Sequence, residues 1–310
     1  MPAGWDARNA PGGKVFLPNH QRAIRSEGDT VKSQTRITIL CENTVGARIG
    51  GGEHGFSAFI ETPRGNLLFD TGGGRFLLDN AIAFGKDLKS VRKVFLSHGH
   101  YDHTGGLPQM LTVKGEVDVY AHPDVFLDRI ALPESEGGRI RYIGIPYRKI
   151  YLETLGARFR WNTDFTEVDE GIFLTGEVPR KTAFERPDPH LQSKTGETYT
   201  VDLFKDDQSL AIDTPQGLVI VFGCAHSGMI NIIHHVMAQT GRDRIHRLIG
   251  GTHLDFLGPE QLEASIEALK ELSISWIGVS HCTGLRAAAR LSQVFGDRFQ
   301  YGHVGAVFEG

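Results

Sequence analysis

The chain of 310 residues is poor in cysteine, with only Cys41, Cys224 and Cys282. An odd and sparse set excludes a disulfide framework as the source of stability. Strong charge of either sign is also missing. Lys and Arg number 33 against 37 Asp and Glu, a formal net charge of −4. That balance gives no electrostatic drive towards nucleic acid or an anionic membrane. No apolar run approaches the ~20 residues of a membrane span. The first residues, "MPAGWDARNAPGG", lack the apolar core of a signal peptide. A cytoplasmic, soluble protein with no nucleic-acid or membrane partner is the expectation. Hydrophobic residues make up 40% of the chain, enough for an ordinary globular core. Oligomeric state leaves no readable trace.

Periodicity outlines the organisation. Residues 1–34 are polar and rich in Gly and Pro, and read as an N-terminal extension to a domain at 35–310. "TRITILCENT" alternates like a strand. "FSAFIETPRGNLLFDTGG" predicts two strands joined at Pro63-Arg64-Gly65, "RFLLDNAIAFG" a helix, and "RKVFLSH" and "EVDVYAHPD" further strands. Residues 134–200 are polar, broken by Gly and Pro, and predict an insertion covering an active site. Beyond them "GLVIVFGCAH", "RLIGGTHL" and "SWIGVSHCTG" predict strands. They alternate with helices at "GMINIIHHVMAQTG", "GPEQLEASIEALKEL" and "LRAAARLSQVFG". In the second helix Pro259 suits the first turn, and Leu262, Ile266, Leu269 and Leu272 form an apolar stripe. Alternating strands and helices indicate an α/β layered fold.

Histidine is abundant, with 14 residues. Four apolar runs each end in one: His98, His226, His253 and His281. A histidine at a strand end is usually structural, but four such cases make independent structural causes improbable. Ligand sites in α/β sheets gather at strand ends. "HGHYDHTGGL" adds the densest cluster. His98 and His100 are two apart and would point the same way in an extended segment. Asp102 and His103 follow where the chain turns, and Gly105 and Gly106 permit a tight turn. One pair can serve one ion and the adjacent pair another. Imidazole and carboxylate donors suit two divalent ions, zinc first and iron or manganese as alternatives.

This motif resembles the signature of the metallo-β-lactamase superfamily. The resemblance implies an αββα sandwich, two mixed β-sheets flanked by helices, with metal at one edge. It runs through most of residues 36–310. Asp70 in "LLFDTGGG" resembles the aspartate that organises the metal loop from below, and His281 in "VSHCTG" the last metal histidine. "EHGFSAFIET", "LLFDTG", "SHGHYDHTGGLP", "TGEVPR", "GCAHSGMINII", "GGTHL" and "SHCTG" together resemble one branch. It contains the 7,8-dihydropterin-6-methyl-4-(β-D-ribofuranosyl)aminobenzene 5′-phosphate synthases and related metallohydrolases.

The chain departs from the superfamily pattern after "LVIVF". Where many members carry a bridging aspartate, it has Gly223-Cys224-Ala225-His226. Upstream, Glu177, Asp206 and Asp207 offer carboxylates but no histidine. His226 is expected to supply the missing ligand, with Cys224 as the alternative, since thiolate binds zinc well. The resemblance then gives His98, His100 and His226 to one ion and Asp102, His103 and His281 to the other. Asp102 and His253 are the expected catalytic residues, orienting a water and protonating a leaving group. Asp70 and Cys224 would support the ligands. Arg180, with Lys181, Tyr101 and Thr283 are expected to contact substrate, and His54 to face the site. His20, His190, His234, His235 and His246 are expected to be structural or exposed.

The function implied is that of a metal-dependent hydrolase or transferase acting on a phosphorylated small molecule. It would work through an activated water or a stabilised diphosphate leaving group. A metal-binding sensor on an inactive scaffold is the alternative, against which the intact ligand set argues. A di-iron redox enzyme would need more carboxylates and a flavin partner domain. A nuclease would need a basic groove.

Overall fold

The computed structural model describes residues 35–46, 48–133, 135 and 138–310. The extension expected at 1–34 lies outside the described residues. The fold is α/β, with two large mixed sheets face to face and helices on their outer sides. The first sheet orders its strands Val307–Glu309, Arg36–Cys41, Ser57–Thr62, Gly65–Phe69, Val91–Phe95, Val117–Ala121 and Ala157–Trp161. Its pairings are antiparallel as far as Gly65–Phe69 and parallel beyond. The second runs Ser273–Ser280, Arg244–Gly251, Gly217–Phe222, Leu210–Thr214, Ile172–Leu174 and Thr166–Asp169. There the first two pairings are parallel and the others antiparallel.

The apolar runs are continuous because these strands are buried on both faces. In Gly217–Phe222, Val219 and Val221 join the core between the sheets, with Ile39, Ile60, Phe69 and Phe95 from the first. Leu218, Ile220 and Phe222 face the other way, onto helices Met229–Thr240, Pro259–Glu271 and Leu285–Phe295. Leu67 and Leu68 divide in the same manner. Leu67 enters the middle core, while Leu68 meets Leu77 and Met110 of helices Leu77–Ala83 and Leu107–Lys114. Thus the four layers follow from period-2 alternation between two apolar faces. The expected stripe of Leu262, Ile266, Leu269 and Leu272 packs in the outer core.

Residues 134–200 contain more regular structure than their composition suggests. Ala157–Trp161 closes one edge of the first sheet, and Thr166–Asp169 with Ile172–Leu174 closes the second. A third sheet forms separately from Thr198–Val201, Leu191–Thr195, Arg129–Ala131 and Arg141–Tyr142, all antiparallel. No helix among the described residues is long and apolar enough to cross a membrane.

Candidate metal centre

The strand ends of both sheets meet at one edge, and the histidines meet there. Val91–Phe95 ends just before Ser97, and the chain turns through His98 and His100 into the short helix Tyr101–Thr104. Asp70, at the end of the neighbouring strand, holds this loop. Its Oδ1 accepts from Ser97 N at 2.7 Å. Its Oδ2 accepts from Ser97 Oγ and from His103 Nδ1, each at 2.7 Å. The expectation that Asp70 organises the loop from below matches this geometry.

These bonds fix tautomers. With His103 Nδ1–H on the Asp70 carboxylate, His103 Nε2 presents a lone pair. His281 Nδ1 meets Asn43 Oδ1 at 2.9 Å, so it too carries the hydrogen and leaves Nε2 bare. The two bare nitrogens stand 3.2 Å apart. Asp102 Oδ2 lies 3.3 Å from His281 Nε2 and 3.8 Å from His103 Nε2. Three acceptors converging in a buried space need a cation between them. The spacing also suits one ion, since two nitrogens each about 2.1 Å from zinc in tetrahedral geometry lie roughly 3.4 Å apart.

A second donor set adjoins the first. His98, His100 and His226 bring one ring nitrogen each within 4.8 Å of one another. Ser97 Oγ, which donates to Asp70, accepts from His98 Nδ1 at 2.9 Å. His98 Nε2 therefore faces inward, 3.0 Å from His100 Nδ1. His226 Nε2 is buried without a hydrogen-bond partner among the described residues. Such an orphaned nitrogen beside two other imidazoles is what an ion site requires. Cys224 Sγ lies between the sets, 3.1 Å from His103 Nε2 and within 4.8 Å of His98. The residues present fit two divalent ions.

Electrostatics agree. Burial, reinforced by neighbouring histidines, holds His98 and His226 well below the usual imidazole pKa. Burial does the same to His100, against the opposing pull of Asp102. All three are neutral, as ligands must be. Burial alone would raise Asp102, but His103, His281 and His54 outweigh it and keep its carboxyl well below the ordinary range. His103 is pushed up to about 9, because Asp70 and Asp102 overcome its burial. A proton can thus stand in where a cation is called for.

Supports for the second sheet's ligands come from distant segments. His226 stacks on Phe204, ring centroids 3.9 Å apart. Phe204 in turn lies under Arg129, which pairs with Asp202 at 2.6 Å and Asp206 at 2.7 Å. Asp206 also accepts from Gly99 N in the metal loop at 2.8 Å. Glu42 Oε1 accepts from His281 N at 2.7 Å. Asp207 accepts from Ser227 N at 2.8 Å. Five non-glycine residues in the described chain adopt positive φ: Asp70, Phe204, Ala225, His253 and His281. All belong to the site or touch it directly. Backbone strain of this kind gathers at functional sites.

A cavity of about 440 Å³ opens onto the cluster. Tyr101, His54, Cys224, His253 and Asp102 line it, with Arg141, His190 and Leu191 from the third sheet or beside it. His54 Nε2 reaches Asp102 Oδ2 at 3.2 Å. His253 Nε2 meets Asp188 at 3.1 Å, and its Nδ1 is buried without a partner among the described residues. Two expected substrate contacts sit elsewhere. Arg180 lies behind the 226 turn and donates to the carbonyls of His226 at 2.6 Å and Leu203 at 3.2 Å. Thr283 is buried and accepts from Thr252 Oγ1 at 2.9 Å. Lys181 offers its backbone N–H to Asn231. Glu177 meets His122. The structure adds Arg141 and Arg286 as cationic groups of the wall, with His190 lining it too. His234 is exposed, whereas His235 reaches the Thr175 carbonyl and His246 that of Glu309.

Comparison with known proteins agrees with this picture. The family described as "Metallo-beta-lactamase superfamily" matches residues 50–183. A 7,8-dihydropterin-6-methyl-4-(β-D-ribofuranosyl)-aminobenzene-5′-phosphate synthase of Methanocaldococcus jannaschii is 30% identical over 266 residues. The match covers 83% of this chain and 90% of that protein. An uncharacterized protein of the same organism is 32% identical, covering 87% and 98%. Among solved structures, Tm1679, a metal-dependent hydrolase of the β-lactamase superfamily, superposes with a TM-score of 0.77 at 27% identity. That match covers 89% of this chain and 99% of the other. Zn(2+)-bound PqqB from Methylobacterium extorquens shares the fold at 12% identity, with a TM-score of 0.53 and coverage of 88% and 99%. The chain belongs to the metallo-β-lactamase superfamily, and within it resembles the dihydropterin-ribofuranosylaminobenzene phosphate synthase.

Proposed function

We propose that this protein is a metal-dependent hydrolase or transferase that acts on a phosphorylated small molecule at a two-ion centre, with zinc the first candidate ion. The observation that carries the reading is the convergence of two donor sets on one cavity floor. His98, His100 and His226 form one. Asp102, His103 and His281 form the other, with bare atoms 3.2–3.8 Å apart. Divalent ions held there would polarise a phosphoryl oxygen and acidify a water molecule.

The chain's own residues supply the rest. Asp102 Oδ2 takes hydrogen bonds as well as ligating, so the His54 contact orients it. Arg141 and Arg286 stand at the wall as cations for an anionic substrate, His190 can hydrogen-bond it, and Tyr101 offers an aromatic edge. Asp188 fixes one nitrogen of His253, whose ring lies 4.5 Å from that of His226. That geometry supports a role for His253 in giving a proton to a departing group. Arg180 and Thr283 take positioning roles instead of touching substrate.

The relative's name favours one specific chemistry, the joining of a dihydropterin methyl unit to a ribofuranosylaminobenzene phosphate; a diphosphate leaving group would suit the two-ion site. Hydrolysis of a phosphodiester needs the same donors. Turnover of bis(p-nitrophenyl) phosphate, before and after chelation and after zinc is restored, tests the reading. Activity lost with the metal and regained with zinc is expected. Activity that survives chelation contradicts it. A protein that holds metal but turns over neither this diester nor a pterin diphosphate would favour the sensor alternative.

A further inference from the structure

Two of the three cysteines meet at this site although 57 residues separate them in sequence. Cys224 follows strand Gly217–Phe222 and Cys282 follows Ser273–Ser280, with Arg244–Gly251 lying between the two strands. The intervening strand ends in glycine, and that lets the side chains meet. A Cβ at Gly251 would stand 2.6 Å from Cys282 Sγ and 3.3 Å from Cys224 Cα. Cys282 Sγ crosses this gap to lie 3.6 Å from the Cys224 carbonyl. The two sulfurs and a His281 ring nitrogen all fall within 4.8 Å of one another. Both thiols line the cavity, so a small solute can reach them. Cys41 is fully buried in strand Arg36–Cys41 and does not line it.

We infer that Cys224 and Cys282 form an oxidisable dithiol, and that a peroxide converts it to a disulfide which switches the metal centre off. The chemistry takes two steps. One thiol attacks the peroxide O–O bond, giving a sulfenic acid and one water. The other thiol attacks that sulfur, forming the S–S bond and releasing a second water. The two thiols lose two electrons and two hydrogens, and hydrogen peroxide takes up both. An S–S bond is about 2.05 Å long, so the sulfurs must close in from their present spacing. Part of that movement falls on the 223–226 turn, which carries His226. It also draws Cys224 Sγ from its place 3.1 Å from His103 Nε2.

The test treats the metal-loaded protein with hydrogen peroxide, alkylates free thiols and maps tryptic peptides without reduction. The three cysteines fall on separate peptides, 37–48, 206–242 and 271–286. The expected product joins 206–242 to 271–286, two hydrogens lighter than their sum, with 37–48 alkylated. Phosphodiester turnover should fall by roughly tenfold or more, as for other disturbances of ligand supports, and return with dithiothreitol. Cys282→Ser, which keeps an acceptor for the His253 N–H, should show no cross-link and the same turnover before and after peroxide, whatever its starting rate. No cross-link, a cross-link through Cys41, or equal peroxide sensitivity in Cys282→Ser overturns the inference. A cross-link that leaves turnover unchanged overturns its link to the metal centre. The effect on turnover rests on the proposed function. If the reduced protein cleaves no diester, that reading fails, while the map still decides the dithiol.

Discussion

The two halves of the candidate metal centre are built differently. The first sheet contributes His98, His100, Asp102 and His103 from one continuous loop, tied down by Asp70 with three hydrogen bonds and by Asp206 with one, from Gly99 N. The second sheet contributes His226, His253 and His281 from three separate strand ends. Each has its own remote support: Phe204 and Arg129 for His226, Asp188 for His253, Glu42 and Asn43 for His281. The first half is local and depends mainly on one residue, Asp70. The second is distributed and depends on tertiary packing. Damage should therefore be sharp in the first half and graded in the second.

The largest effect on stability should come from Arg129→Leu. Arg129 is fully buried, and its removal leaves Asp202 and Asp206 without a counterion. Breaking a buried pair in this way costs about 3–5 kcal/mol. Urea denaturation checks it, and a loss below about 1 kcal/mol, the scale of an exposed pair, would remove Arg129 from the account.

Asp70→Asn comes next. Asparagine cannot accept all three hydrogen bonds, so His103 loses its fixed tautomer. Metal affinity should fall about 10–100-fold, read by competition with a chromogenic chelator. An unchanged affinity would show that the loop does not depend on its main tether.

A pH effect should follow from Glu185, which accepts from Ile230 and Asn231 N–H at the start of helix Met229–Thr240. Burial pushes its pKa from 4.5 up to about 7. Folding thus favours the protonated form. The stability it contributes is complete below pH 4.5 and declines as pH rises through 7. Glu185→Gln should flatten that decline in denaturation midpoints measured between pH 5 and 8. Parallel curves for the two proteins would contradict this assignment.

The smallest effect belongs to Asn43→Ala. It frees one nitrogen of His281 but leaves the Glu42 contact to its backbone. Metal affinity should weaken by less than about tenfold. A complete loss of metal would make the second half as brittle as the first.

The same contrast explains what the sequence reveals. The loop's candidate donors are adjacent in the chain, so "HGHYDH" makes their cluster legible. Strand ends at His226, His253 and His281 are legible because apolar runs precede them. Their supports are not legible. Asn43, Glu42, Asp188 and Arg129 are single polar residues that gain meaning only through contacts 65–239 positions away in the chain. The third sheet escapes for a related reason. Its strands are short and polar, and Thr198–Val201 is exposed throughout, so no apolar alternation marks it. Arg180 illustrates the opposite failure. An arginine near a site suggests an anion contact, yet packing turns this one onto backbone carbonyls.

The most direct test is metal stoichiometry in protein purified without chelator, comparing wild type with His226→Ala, Cys224→Ala and His281→Ala. Two ions per chain in wild type and in Cys224→Ala, with one lost in each histidine variant, is the predicted result. Unchanged metal content in His226→Ala would contradict the two-ion centre as assigned.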